Sequence, residues 1–206
     1  ISFKFRSDVN FQTKTKEKEK YMYSGYELIW LFFCTSFLGW LLETVSAATR
    51  QRKFANRGIV NAPFCVIYGV AAVIITVFCQ ELYGFWLFAE STILATVIEW
   101  IAGHLIEKMY HERWWDYSKI KWNLDGYICF PISLLWGALA YVMMRWGNSL
   151  MLDLYHLVPK FVGQIALLIL VGILTADMAA TLIVLSGRSK RIEQWQAVDS
   201  WLTGIS

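Results

Sequence analysis

Apolar residues run along this chain in blocks, and charged residues gather in the segments between the blocks. Five windows have the length of about 17 to 25 mostly apolar residues that crosses a bilayer as an α-helix. They lie near 26–48, 62–80, 86–107, 127–146 and 161–186. A strand isolated in hydrocarbon would leave its backbone N–H and C=O groups unpaired, at a cost of several kcal/mol for each group. The pattern therefore predicts an all-α integral membrane protein with about five transmembrane helices.

The segments between the windows predict how the helices are joined. Residues 80–85 are too few for anything but a tight turn, so the second and third helices should form a hairpin. Pro63 is expected in the first turn of the second helix, where no N–H partner is needed. We predict three regions in all: an N-terminal tail at 1–21, a transmembrane domain at 22–186 and a cytoplasmic C-terminal tail at 187–206.

Composition agrees with this class of protein. Apolar and aromatic residues make up 57% of the 206 residues and charged residues only 17%, and the mean hydropathy is +0.43. A soluble fold of this length has too little interior for so much apolar surface. The net charge of +3 is small, and the basic residues flank apolar runs. They therefore indicate topology and contacts with membrane lipids, and nucleic acid is not an expected partner.

Lys and Arg residues are distributed unequally between the two sides of the predicted helices. One side carries eleven of them: Arg50, Arg52, Lys53, Arg57, Lys108, Arg113, Lys119, Lys121, Arg188, Lys190 and Arg191. Apart from the N-terminal tail, the other side carries only Arg145 and Lys160. The positive-inside rule then predicts a bacterial inner-membrane protein with its long loops and C-terminus in the cytoplasm and its N-terminus outside.

The N-terminal tail conflicts with that orientation, because it adds six positive charges to the outer side: Lys4, Arg6, Lys14, Lys16, Lys18 and Lys20. Codons for the alternating Lys and Glu residues at 16–20 are purine-rich, like a bacterial ribosome-binding site, and Met22 follows closely. We hypothesise that translation starts at Met22 and that residues 1–21 are not native. The alternatives are an inverted topology or a short basic tail that crosses the membrane regardless of its charge.

Two blocks of sequence occur twice in the same order, which predicts two tandem helical-hairpin repeats at about 26–80 and 86–146, with a fifth helix at 161–186 outside them. Residues 39–43 (GWLLE) match 103–107 (GHLIE), and Gly58-x4-Pro63-x4-Tyr68-Gly69 matches Gly126-x4-Pro131-x4-Trp136-Gly137. One interpretation is that the paired positions line a shared site between the repeats. The other is that the glycines permit close packing and the prolines start helices, so that the repeat records only an old duplication.

Ionisable side chains inside apolar windows are the first candidates for function, since each costs free energy unless it is paired or hydrated. They are Glu43, Glu90, Glu99, His104, Glu107 and Asp177. His104, Glu107 and Glu99 share one face of the third helix, which would suit a proton- or cation-handling role, whereas Glu90 points the opposite way. Each candidate also has a structural alternative. Glu43 and Glu107 could form ion pairs with loop arginines such as Arg57 and Arg113. Glu99 and Asp177 could have polar partners on neighbouring helices, and His104 could form a structural hydrogen bond.

The third group of candidates lies in the loop before the fourth helix, where Trp114, Trp115 and Asp116 are consecutive. Adjacent tryptophans beside charges are typical of an anchor at headgroup depth, and the alternative is an aromatic lid over a bound headgroup. The four cysteines are far apart and lie in or beside apolar windows, so no metal or disulfide role is expected. No phosphate-binding loop, hydrolase or zinc motif is present, so no cofactor is expected.

Several strings resemble a bacterial family of small membrane proteins, the putative ABC-transporter permeases. They are residues 36–43 (SFLGWLLE), 56–69 (NRGIVNAPFCVIYG), 114–117 (WWDY) and 123–126 (NLDG), and the resemblance covers roughly residues 22–146. Proteins of that family mostly begin close to the first helix, which fits a start at Met22. The resemblance implies a membrane permease subunit that needs an ATPase on a separate chain.

The sequence therefore predicts a permease-like subunit that forms homo-oligomers, with its site at the interface between the repeats. Glu43, Glu99 and Glu107 with Arg57 would form that site, and Trp114, Trp115 and Asp116 would cap it from the cytoplasm. A second class is a membrane enzyme or lipid-modifying factor in which Glu43, Glu107 and Asp116 act as acid and base on a headgroup. A third is an assembly protein whose glycine-lined faces bind other helices.

Overall fold

The computed structural model describes residues 23–51, 60–111 and 113–203, and it is helical apart from loops and one short β-hairpin. In chain order the elements are α1 (Gly25–Gln51), α2 (Val66–Cys79), α3 (Gly84–Tyr110), β1 (Asn123–Leu124), β2 (Ile128–Cys129), α4 (Phe130–Val142), a π-helical turn (Met143–Gly147), α5 (Asn148–Leu157) and α6 (Lys160–Thr203). The predicted tail at 1–21 and the candidate Arg57 lie outside the described residues.

In the part of the chain that the structure describes, three helices are long and apolar enough to cross a membrane by themselves. These segments are Gly25–Thr49 of α1, all of α3, and Lys160–Val184 of α6. The prediction of a helical chain with apolar helices long enough to span a membrane is therefore confirmed. Helix α2 is apolar but has only 14 residues, and the run from Phe130 to Leu157 is divided by the π-helical turn. Five spanning helices stay a prediction, as does the repeat.

The second helix begins later than predicted, at Val66, so Pro63 lies in a non-helical segment before it and not in its first turn. Tertiary contacts replace the helical hydrogen bonds of this segment. The Cys65 N–H donates to the Ser36 carbonyl on α1 at 2.9 Å, and the Ala62 N–H donates to Asp177 on α6 at 2.7 Å. Because its backbone donors are paired in this way, the segment can remain non-helical where it packs against α1 and α6.

The other predicted boundaries agree with the helices to different degrees. Residues 80–83 separate α2 from α3, as the predicted hairpin requires, and Cys79 packs on Leu87 across it. Pro131 does lie at the start of α4. The predicted C-terminal tail begins inside a helix, because α6 continues without a break to Thr203.

The helices pack as two antiparallel pairs, α1 with α2 and α3 with α4, and α2 also packs against α3. Helix α5 then folds back onto α1, where the Trp30 indole donates to the Met151 carbonyl at 2.7 Å. A cluster of buried apolar side chains joins α1, α5 and α6, and it consists of Phe33, Tyr155 and Leu167. Buried Asn148, next to the π-helical turn, donates to Thr76 of α2 at 2.9 Å, so a polar contact fixes the turn against the first pair. The two helical pairs therefore face each other across an interior that can hold polar side chains.

Candidate functional site

The first part of the site forms where α1 crosses α2. Gly39 leaves room for the ring of Tyr68, because a Cβ at Gly39 would lie 2.7 Å from the Cβ of Tyr68. One helical turn further along α1, the carboxylate of Glu43 accepts a hydrogen bond from the Tyr68 hydroxyl at 2.8 Å. The Gly-x-x-x-Glu spacing thus sets the glycine against the tyrosine ring and the glutamate at its hydroxyl.

The second part lies between α3, α4 and the loop that joins them. Oε1 of Glu99 accepts hydrogen bonds from the Trp136 indole at 3.0 Å and from the Tyr117 hydroxyl at 3.1 Å. Its second oxygen, Oε2, is buried and has no hydrogen-bond partner among the described residues. Glu99 is therefore held by neutral donors from two different elements and retains one free acceptor.

A contact between aromatic rings joins the two parts. Tyr68 and Trp136 meet edge to face with their ring centroids 5.5 Å apart, so the donors to Glu43 and Glu99 touch each other. Burial raises the pKa of Tyr117, and the charges of Glu99 and, more weakly, Glu43 raise it further. The phenol therefore keeps its proton and acts as a donor. We call Glu43, Tyr68, Glu99, Tyr117 and Trp136 the hairpin site.

A separate group of residues surrounds Glu107 near the end of α3. We call Gly103, His104, Glu107, Arg113 and Tyr127 the loop cluster. Arg113 donates to Glu107 at 3.0 Å and to the Asp125 carbonyl at 3.0 Å, and its guanidinium lies 4.4 Å from the centre of the Tyr127 ring. The Tyr127 hydroxyl also donates to Glu107. The hydrogen bond to Glu107 raises the pKa of Arg113. The predicted pairing of Glu107 with a loop arginine is thus present in the structure.

His104 belongs to the loop cluster as well and has structural contacts. Its Nδ1 lies 2.9 Å from the Trp100 carbonyl one turn earlier, and its ring stacks on Tyr127 with centroids 3.8 Å apart. Gly103 provides the space for this packing, since a Cβ there would lie 2.7 Å from Cδ1 of Tyr127. These contacts match the structural alternative for His104.

The loop residues expected to cap the site have other partners. Asp116 accepts hydrogen bonds from the backbone N–H of Ser118 at 2.9 Å and from its hydroxyl at 3.0 Å, and these bonds lower the pKa of Asp116. Trp115 donates to the Tyr127 carbonyl at 2.9 Å, and Trp114 packs beside Tyr110 with centroids 5.2 Å apart. Their neighbour Tyr117 is a loop residue that belongs to the hairpin site.

Asp177 and Glu90 lie away from both groups. Asp177 accepts hydrogen bonds from the Asn61 amide at 2.8 Å and from the Ala62 N–H at 2.7 Å, so it ties α6 to the segment before α2. Glu90 is exposed in the second turn of α3. Neither contributes a hydrogen bond to Glu43 or Glu99.

The structure therefore brings Glu43 and Glu99 to connected positions and separates them from Glu107, Asp116 and Asp177. The main residues that sequence reasoning missed as site members are Tyr68, Trp136 and Tyr117. Tyr68 and Trp136 stand at matching positions of the two repeated blocks, each directly before a glycine, which is a signal that could have identified them. Tyr117 follows the tryptophan pair, but nothing in the sequence indicates that it reaches Glu99.

Two carboxylates with neutral donors around them can bind a proton or a cationic group, since no described Lys or Arg forms an ion pair with Glu43 or Glu99. Among the described residues, no group of three or more His, Cys, Asp or Glu side chains could hold a metal ion.

Comparison with known proteins gives one match that covers most of the chain. A family model described as "Putative ABC-transporter type IV" matches residues 30–182. That stretch contains the hairpin site and the loop cluster, and it extends beyond the predicted resemblance to residue 182, so that it includes Asp177 of α6. No curated protein and no solved structure matches the chain.

Proposed function

From the premise that this chain belongs to the putative ABC-transporter type IV family, we propose that it is the permease-like membrane subunit of a transporter. The family makes it a transporter-associated membrane protein. In our proposal an ATPase on a separate chain supplies the energy, and the substrate passes through the hairpin site, between the pairs α1–α2 and α3–α4.

The observation that carries this proposal is the junction of the two helical pairs. Glu43 comes from the first pair and Glu99 from the second, and Tyr68 and Trp136 connect them by direct contact. A carboxylate inside an apolar helix is costly unless it has a function or strong partners. The buried free oxygen of Glu99 is the acceptor that a substrate group or a proton would use.

Tyr117 gives this site a closing element. Glu99 lies eleven residues before the end of α3 at Tyr110, which corresponds to about 16 Å of helix rise. The loop after α3 must therefore turn back along the helix for the Tyr117 hydroxyl to reach Glu99. We propose that this loop closes the hairpin site from its own side and that transport requires the Tyr117–Glu99 hydrogen bond to open.

Replacement of Glu99 by Gln tests the site. Glu99→Gln keeps the shape of the side chain but removes its charge, and the matched control is Glu90→Gln, a change to an exposed glutamate of the same helix. The full chain would be expressed in its native host and purified in mild detergent with any bound ATPase. We expect ATP hydrolysis by the complex to fall about tenfold in Glu99→Gln, the loss of one charge-assisted contact, and to be unchanged in Glu90→Gln.

Two outcomes of this experiment contradict different parts of the proposal. If no ATPase accompanies the native chain, the proposed role as a transporter subunit is wrong. If the ATPase is present but Glu99→Gln hydrolyses ATP like the parent, Glu99 does not belong to the substrate path. Circular dichroism of each variant shows whether the fold is intact.

We further propose that the chain lies in the bacterial inner membrane, with five spanning helices, two hairpin repeats and the loops before α2 and α4 in the cytoplasm. The distribution of Lys and Arg supports this orientation. Single cysteines at Lys119 in the loop before α4 and at Tyr83 between α2 and α3 would test it, because both residues are exposed. A membrane-impermeant thiol reagent added to intact spheroplasts should label only the cysteine at position 83; labelling only at 119 would invert the topology.

A further inference from the structure

The β-hairpin before α4 presents an apolar surface that the rest of the described chain does not cover. Trp122 is 75% exposed, Leu124 55% and Phe130 54%. The Trp122 and Phe130 rings lie 5.9 Å apart, and the Phe130 N–H donates to the Trp122 carbonyl at 3.0 Å. The two aromatic side chains therefore form one projecting unit.

The backbone that carries this unit has an unusual conformation. Trp122 has a φ of +61°, in the left-handed region that residues other than glycine rarely adopt. The hydrogen bond from Phe130 and the contact of Cys129 Sγ with the Lys121 carbonyl at 3.7 Å hold the turn in place. A large indole kept exposed on such a turn points to a surface that is covered in the working protein.

Exposed lysines flank the aromatic unit on its N-terminal side. Lys119 and Lys121 are both exposed, as is the intervening Ile120. Among the described residues of this loop, two are acidic. Asp116 is hydrogen-bonded to Ser118 and lies 4.0 Å from Arg113, and Asp125 is exposed. We call Lys119, Ile120, Lys121, Trp122, Leu124 and Phe130 the aromatic–lysine patch.

The patch lies where the chain re-enters the bundle, because Phe130 is the first residue of α4. In a membrane protein this is the level of the lipid headgroups, where tryptophan is enriched and basic residues attract anionic lipids. We infer that the aromatic–lysine patch docks onto anionic lipid headgroups of the adjoining leaflet, with Trp122 and Phe130 at the boundary of the acyl chains.

A second aromatic pair provides an internal control. Phe85 and Trp86, in the first turn of α3, are 73% and 71% exposed, and their rings lie 5.6 Å apart. The charged residues near this pair in the sequence are Glu81 and Glu90 and not lysines. Trp86 should therefore contact lipid without preferring an anionic headgroup.

Quenching of tryptophan fluorescence by brominated lipids tests the inference. The full chain would be placed in nanodiscs of phosphatidylcholine, with or without phosphatidylglycerol, whose acyl chains are brominated close to the headgroup. The emission of Trp122 is the difference between the parent and Trp122→Phe, and that of Trp86 is obtained in the same way from Trp86→Phe. We expect the lipid to remove most of the Trp122 emission, more strongly with phosphatidylglycerol, and to quench Trp86 equally in both membranes.

A lysine variant separates the charge from the apolar contact. In Lys119→Gln combined with Lys121→Gln, Trp122 should still be quenched by lipid, but the preference for phosphatidylglycerol should be lost. The inference is overturned if Trp122 emission is quenched by aqueous iodide and not by brominated lipid. It is also overturned if Trp122 becomes shielded only when an ATPase subunit binds, since the patch would then be a protein interface.

Discussion

The hairpin site and the loop cluster both contain a glutamate one turn after a glycine, with a tyrosine against that glycine, yet they treat the carboxylate differently. In the loop cluster, Arg113 forms an ion pair with Glu107. In the hairpin site, the donors to Glu43 and Glu99 among the described residues are neutral phenol and indole groups. In our proposal, Glu107 anchors a loop because Arg113 is its cationic partner, whereas Glu43 and Glu99 receive the substrate. The donors around each glutamate would then separate the two roles.

The largest expected effect concerns the two glycines. In Gly39→Ala, the new Cβ is forced against the base of the Tyr68 side chain, which is fixed on α2. In Gly103→Ala, the new Cβ lies 2.7 Å from the ring edge of Tyr127, a loop residue, and 3.3 Å from the ring of Trp115. Overpacking typically costs about 1–3 kcal/mol, so we expect Gly39→Ala near the upper end and Gly103→Ala near the lower. Unfolding in mixed micelles with increasing dodecyl sulfate measures both free energies.

Gly172→Ala is the control for these two variants, because a Cβ at that position of α6 has no atom within 4 Å. It shares the gain in helix propensity that each replacement of glycine brings. If Gly39→Ala proved as stable as Gly172→Ala, the close contact of α1 with Tyr68 would not exist in the protein. Equal losses of unfolding free energy for Gly39→Ala and Gly103→Ala would show that the loop carrying Tyr127 is as rigid as α2.

The glycine comparison also shows how far sequence reasoning extends. Each of the five apolar windows coincides with a helical segment, because the hydrophobic requirement of a membrane is set by each segment alone. Helix α5 lies outside these windows and was not predicted. The predicted start of α2 was wrong, because two residues remote in sequence, Asp177 and Ser36, accept hydrogen bonds from the backbone N–H groups of the segment before the helix. Glu43 and Glu99 were identified as candidates from their cost in an apolar helix. The repeated blocks place Tyr68 and Trp136 at matching positions, but their hydrogen bonds to Glu43 and Glu99, and that of Tyr117 to Glu99, arise from tertiary packing.

Tyr117→Phe should have the next largest effect, since it removes the hydroxyl that donates to Glu99 and leaves the ring in place. One hydrogen bond typically contributes about 0.5–1.5 kcal/mol, so the loop should open several-fold more often. Hydrogen exchange of the backbone amides at 113–129, followed by mass spectrometry, measures this opening. Tyr141→Phe is the control, since Tyr141 lies in α4 and packs beside Trp146, with ring centroids 6.4 Å apart, away from this loop. An equal increase in loop exchange in Tyr141→Phe would contradict a specific role for Tyr117.

A smaller effect is expected for the ion pair of the loop cluster. The side chains of Glu107 and Arg113 are both about one-third exposed, and solvent screening weakens such an ion pair. A double-mutant cycle of Glu107→Gln and Arg113→Gln, measured by the same dodecyl sulfate titration, should give a small favourable coupling energy. A coupling energy of zero would mean that the pair does not anchor the loop. ATP hydrolysis by the complex should change less in Glu107→Gln than in Glu99→Gln, because Glu107 lies outside the proposed path.

The smallest effect is a dependence of the loop on acid. Hydrogen bonds from the backbone N–H and hydroxyl of Ser118 lower the pKa of Asp116 in the folded protein. A carboxylate with a depressed folded pKa stabilises the fold above its unfolded pKa of about 3.9, and that contribution is lost as the pH falls through the folded value. The Ser118 amide should therefore lose protection from hydrogen exchange, corrected for the intrinsic rate, as the pH is lowered below about 4. Asp116→Asn should remove this dependence, because its amide does not titrate there; if the variant kept the same acid response, another group would be responsible for it.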